Sequence, residues 1–155
     1  MFKFDKLVFG DLGWGDEFLF ATLMTITVSI LSMGLGLCLA ILTVWAKLIT
    51  NKITRLIANF YTTVVRGVPE LLVIYLIFFG GNTVVMSIAK LFGYNGYIEL
   101  NALTIGTIAI AFISATYSSE VLRAAYLAVN KGQIEAAKAL GLNKFQIFFK
   151  VMGPQ

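Results

Sequence analysis

The sequence contains no histidine, one cysteine and two prolines, and only 13% of its residues are charged. Each scarcity excludes something. Without histidine, and with Cys38 alone in an apolar run, the chain builds neither a structural disulfide nor a Cys/His zinc site. It also has no Gly-x-x-x-x-Gly-Lys-Ser/Thr phosphate loop, no His-Glu-x-x-His and no Gly-x-Ser-x-Gly. It therefore lacks the usual means of hydrolysing ATP, and we assign it no catalytic residue, no metal ligand and no bound cofactor. Soluble domains carry roughly 25% charged residues. Here the deficit is made up by apolar residues, 59% of the total. The composition is that of a membrane protein. The formal charge of +4 is concentrated beside apolar runs, so it reads as membrane topology, with no nucleic-acid partner. No cleavable signal is evident, because the first apolar run is long enough to span and has no small-residue cleavage site.

Residues 18–46 carry no charge at all. A span needs about 20 residues at 1.5 Å each, so this run is the first span, preceded by an external segment over residues 1–17. The next apolar stretch is interrupted by Arg66-Gly67-Val68-Pro69-Glu70. Pro69 has no N–H to donate, and it disfavours helix at Val68. Two registers are open. A single tilted span over 57–80 would stop at Gly80-Gly81, and this is the preferred reading. Alternatively an interfacial helix ends at Arg66 and the span begins at Pro69. Residues 83–100, broken by Lys90, Gly93, Gly96 and Glu99, read as a short amphipathic helix and a loop. A third span is expected over 100–124. Ser32, Gly36 and Ala40, and again Ala111, Ala115 and Ser119, recur every four residues. In lipid such small-residue stripes pack against other helices. Basic residues fall on alternate sides. Lys47, Lys52, Arg55, Lys131, Lys138, Lys144 and Lys150 share one side, against Lys3, Lys6 and Lys90 on the other. The positive-inside rule places the first group in the cytoplasm and the N-terminus outside.

Residues 130–154 have a clear local grammar. Asn130 is a helix cap with Gln133 placed to complete a capping box, and Val129 and Ile134 are placed as a hydrophobic staple. Gly141 ends that short helix as a left-handed residue. The pattern repeats with Asn143, Gln146, and the pair Leu142 and Ile147. Glu135 and Lys138 stand three apart, where a weak pair can form. Ala136, Ala137 and Ala139 keep the helix surface small.

The run Gly132-Gln133-x-Glu135-Ala136-Ala137-x-x-x-Gly141, with Pro154 thirteen residues beyond, resembles the cytoplasmic EAA loop of ABC-importer permeases. Tyr61-Thr-Thr-Val-Val-Arg66-Gly-Val-Pro69-Glu70 resembles a second signature, from the polar-amino-acid branch. Tyr117-x-x-Glu120-x-x-Arg123 resembles a third, running directly into the loop. The resemblance covers the chain from about Phe18 onward. It implies an all-α type I ABC-importer transmembrane fold over residues 18–155. That fold comprises the first three spans, the EAA coupling loop at 130–143 and the start of a next span at 144–155. It also implies a permease subunit in the bacterial inner membrane. The implied partners are an ATPase dimer that consumes the ATP, a second permease subunit, an external solute-binding protein and membrane lipid. Gly132, Gln133, Glu135, Ala136, Ala137 and Gly141 would couple to the ATPase.

Two positions depart from the family pattern. Asn130 stands where proline is usual, and family members continue past the loop proline for two more spans. A truncated product is therefore expected, and an inert remnant or assembly partner stays open as an alternative function. So does an ATP-independent channel or carrier, which leaves the loop unexplained. Arg66, Pro69, Glu70 and Glu120 are the candidate solute-pathway residues. Intramembrane charge beside broken backbone marks such paths. An acid at the Glu70 position is frequent in members resembling the histidine, arginine and opine systems, which implies basic or polar amino acids as solutes. The local alternatives are an Arg66–Glu70 pair and a helix-end Glu120–Arg123 pair.

Overall fold

In a computed structural model of the protein the described residues are 13–94, 96 and 101–154. The expected external segment lies outside them as far as residue 12, as does most of the loop that precedes residue 101. Helix α1 runs over Gly15–Leu48, 34 residues. At 1.5 Å per residue it is about 51 Å long, well beyond a hydrocarbon core of about 30 Å. All but one of its hydroxyls are satisfied within the helix. Thr22, Thr25, Thr27, Ser29 and Thr43 each donate to the carbonyl four residues back, at 2.7–2.9 Å. In lipid no water is available to do this.

The second apolar stretch is two helices, not one span over 57–80. Helix α2 covers Lys52–Gly67 and α3 covers Glu70–Leu91. Between them Val68 is extended (φ −107°, ψ 143°) and Pro69 sits at φ −53°, ψ 128°. The proline excludes its predecessor from the helical region and cannot continue the hydrogen-bond ladder. Its carbonyl opens α3 by accepting the Leu72 N–H at 2.9 Å. Gly80-Gly81 does not end the helix, and the expected separate helix after residue 83 is the continuation of α3. The stop is Gly93, at φ +81°, where the Gly93 and Tyr94 N–H groups bond the Lys90 and Ala89 carbonyls at 3.0 Å. That is a Schellman closure, which needs a left-handed residue and so favours glycine.

Helix α4, Ala102–Ala128, begins at Asn101, whose side chain accepts from the Thr104 N–H at 2.7 Å. It packs most extensively on α1. The two small-residue stripes meet each other. Ser32 and Ala40 are buried to within 1%, and Ala111, Ala115 and Ser119 have no exposed surface. Ser32 Oγ donates to the Thr107 carbonyl at 3.2 Å. A Cβ built on Gly36 would lie 3.2 Å from the Ala111 carbonyl oxygen. Partner numbers rise together along both helices, so α1 and α4 are parallel. Helix α3 runs the other way. Glu70 shares a recess with Tyr117, Val73 packs with Ile113, and Gly81 faces Ile105.

This arrangement decides the crossing pattern. Parallel α1 and α4 need an odd number of crossings between them, and α3 alone provides it. Among the described residues, the helices long and apolar enough to cross are α1, α3 and α4. Helix α2 does not cross. Its Ala58, Thr62 and Val65 are buried, while Ile53, Leu56, Ile57 and Phe60 are 64–70% exposed. The end of α1, the start of α2 and the end of α4 therefore lie on one side. The chain leaves α4 on that side into α5, Lys131–Ala139, and then α6, Lys144–Ile147, which widens into a π-helical turn over Phe148–Met152.

Candidate functional site

Two places carry the predicted site residues. The first is α5. Asn130 caps it, but through the Gly132 N–H at 2.8 Å, so the expected capping box with Gln133 is replaced by a shorter turn. The box at the next helix is present. Asn143 Oδ1 accepts from the Gln146 N–H at 2.9 Å, and Gln146 Oε1 accepts from the Asn143 N–H at 3.0 Å. Gly141 stands at φ +78°, with its N–H on the Lys138 carbonyl and the Leu142 N–H on Ala137. Gly132, Gln133, Glu135, Ala136 and Gly141 are exposed, whereas Ala137 is buried against the chain itself. Glu135 and Lys138 are both exposed and make no ion pair with each other.

The second place is a recess between α2 and α4, of about 390 Å³, lined by Thr62, Thr63, Arg66, Gly67, Tyr117 and Glu120. A smaller one of about 210 Å³ adjoins it, lined by Glu70, Ile74, Ile110, Ile113, Ser114 and Tyr117. Tyr117 is common to both. The recess is held open by α2, whose Tyr61 hydroxyl donates to the Phe112 carbonyl at 2.5 Å while its ring packs on Phe112. Beneath, Val65, Val73 and Ile113 form a small apolar cluster that fixes α2, α3 and α4 together.

The charges are arranged differently from the expected local pairs. Arg66 and Glu70 make no ion pair with each other; the Arg66 guanidinium lies over the Tyr117 ring, 5.4 Å from its centroid. A cation over an aromatic face is attracted by the ring quadrupole. Arg123 does approach Glu120, at 3.7 Å, but as the outer of two partners. The inner one is Lys47, whose ammonium forms a buried ion pair with Glu120 and donates to Thr62 Oγ1 at 2.7 Å. Only 1% of the Lys47 side chain is exposed. Sequence reasoning treats Lys47 as a flanking topogenic charge and misses this role. The one signal is position: a lysine at the last turn of a span either snorkels outward or turns in toward an acid on another helix.

Three apolar helices in alternating directions, a proline-broken approach and a charged recess between helices define a multi-pass membrane protein. The chain belongs to the family described as “Binding-protein-dependent transport system inner membrane component”, which matches residues 32–155. It is 47% identical over 150 residues to a nopaline transport system permease protein of Agrobacterium fabrum, covering 96% of this chain and 64% of that one. To a histidine/lysine/arginine/ornithine transport system permease protein of Escherichia coli it is 34% identical over 142 residues, covering 92% and 62%. A crystal structure of an amino acid ABC transporter with histidines superposes with a TM-score of 0.64 at 31% identity, covering 86% and 56%. The chain thus spans just under two thirds of the length of those curated relatives.

Proposed function

We propose that the chain supplies the permease part of an ATP-driven importer for basic or polar amino acids. The N-terminus lies outside and α5 lies in the cytoplasm, where it docks on a separate ATPase. A second permease subunit and an external solute-binding protein complete the machine. ATP closes the ATPase pair, α5 moves with it, and the spans switch from inward- to outward-facing. The observation that carries this reading is α5 itself. It is a short helix, capped at one end and closed by a left-handed glycine at the other, with one buried residue between. It succeeds α4 on the side that holds Lys47, Lys52 and Arg55. The named relatives support the solute class, since histidine, lysine, arginine and ornithine carry basic side chains.

The test uses the importer assembled with the full subunit in proteoliposomes. Glu135→Arg reverses an exposed charge that the ATPase would meet. Gly141→Val forces a left-handed backbone that costs about 1–2 kcal/mol for a residue with a Cβ. Both variants are expected in the membrane at normal amounts, with solute-stimulated ATP hydrolysis uncoupled from transport. Unchanged stimulation and transport in both would make α5 an ordinary connector.

A further inference from the structure

The larger recess has an acid and a base on its walls, and the structure ties up one of them. Glu120 is engaged from behind by Lys47 and approached by Arg123 on its other oxygen. A buried ammonium is costly to desolvate and needs its counter-charge. Glu120 is therefore committed to Lys47, not free for a solute's ammonium group. The Thr62 hydroxyl is committed as well. It accepts from Lys47 and lies 3.2 Å from the Ala58 and Asn59 carbonyls of its own helix. Arg66 differs from both. It makes no ion pair with any described residue, and its stacking on Tyr117 uses the face of the guanidinium. Stacking leaves the N–H edge available, and that planar fork matches a carboxylate. Glu70 borders the neighbouring recess, on the other wall that Tyr117 provides.

We infer that Lys47 is a positioning residue whose engagement of Glu120 leaves Arg66 as the charge the recess offers, making the recess a carboxylate subsite for the solute. The inference rests on the solute-path reading above and extends it. Arg66 takes the carboxylate end, and the Glu70 recess receives the opposite end. Without Lys47, Glu120 would turn its charge on Arg66, which lines the same space, and would compete with the solute's carboxylate.

The experiment is equilibrium titration of arginine, and of agmatine, its decarboxylated counterpart. It uses importer assembled with the full subunit in lipid nanodiscs, without the solute-binding protein. Arginine is expected to bind about ten-fold more tightly or better, the value of a charge-assisted hydrogen bond. Arg66→Gln should erase that preference by weakening arginine alone. Lys47→Met should lower it, Lys47→Arg should keep it, and Lys47→Met with Glu120→Gln should bring it back. Should Lys47→Met not assemble, the double variant and Arg66→Gln decide the question between them. A preference that survives Arg66→Gln overturns the carboxylate subsite. Equal loss of both ligands in Lys47→Met, with no recovery in the double variant, reduces Lys47 to a structural clamp. Binding of neither ligand to the unaltered importer would instead remove the solute-path reading beneath the proposal.

Discussion

Helix α4 has two faces made of opposite materials. Toward α1 it presents Ala111, Ala115 and Ser119, fully buried against another small-residue stripe. Toward α2 and α3 it presents Ile113, Tyr117 and Glu120, and there the packing opens into recesses. The first face is held by dispersion between closely approaching backbones, which dominates helix association in lipid. The second is held by one hydrogen bond from Tyr61 and a small apolar cluster, with the Lys47 ammonium of α1 bridging Glu120 to Thr62 of α2. A dry, close seam tolerates little movement. A face that mixes charge, aromatic stacking and open volume leaves polar side chains beside accessible space. The contrast teaches that the small-residue stripes hold α1 and α4 together by close packing, whereas α2 and α3 are held to α4 by a few specific contacts around open volume.

That contrast can be broken from either side. The largest effect is expected from Gly36→Leu. A Cβ at that position already meets the Ala111 carbonyl oxygen at 3.2 Å and Ser114 Cβ at 3.3 Å. The backbone oxygen cannot swing aside, so the seam must part, at a cost of about 3 kcal/mol. The thermal midpoint of purified subunit in detergent should fall for every solute condition alike; a midpoint equal to wild type would mean the seam is looser than drawn.

Glu70→Gln sharpens the other side. In a full-subunit importer it should weaken basic-solute transport by about 2 kcal/mol, the value of leaving a charged partner unpaired. Glutamine transport should change far less, with both rates normalised to protein in the membrane. An equal loss for arginine and glutamine would move Glu70 from reading the solute to holding the fold.

The smallest effect is expected from Ser32→Ala, which removes the 3.2 Å bond to the Thr107 carbonyl without disturbing the close approach. Interhelical hydrogen bonds in membranes average about 0.6 kcal/mol. Unfolding in graded denaturing detergent should register that small loss and leave transport untouched. A loss as large as that of Gly36→Leu would show that polar contacts, not close packing, govern the seam.

Much of this is legible along the chain. The apolar runs of α1 and α4, the stripes at Ser32 and Ala111, and the turn at Gly141 are local patterns whose physical meaning does not depend on what lies opposite. The boundaries of α3 are misleading for a related reason. Gly80-Gly81 looks like a stop, yet glycine inside an apolar helix is tolerated when a neighbour such as Ile105 comes close. The real stop at Gly93 lies in a stretch whose polar residues suggest a loop. Ala137 reads as a surface residue by the smallness of its neighbours, but helix phase turns it inward.

Read along the chain alone, the residues place this protein in a membrane, require a kink or a break at Val68-Pro69, and set a capped two-helix turn after the last apolar run. Those conclusions rest on composition, on proline's missing N–H and on the side chains that satisfy helix ends. Packing in three dimensions decided that the chain breaks there into two helices, that α2 stays on one side while α3 crosses, and that the two small-residue stripes close on each other. It also decided that Lys47 turns inward. A lysine at a helix end is drawn out to water or in to a carboxylate by the same charge. Which one wins depends on whether an acid 73 residues away stands within reach, and packing alone puts Glu120 there.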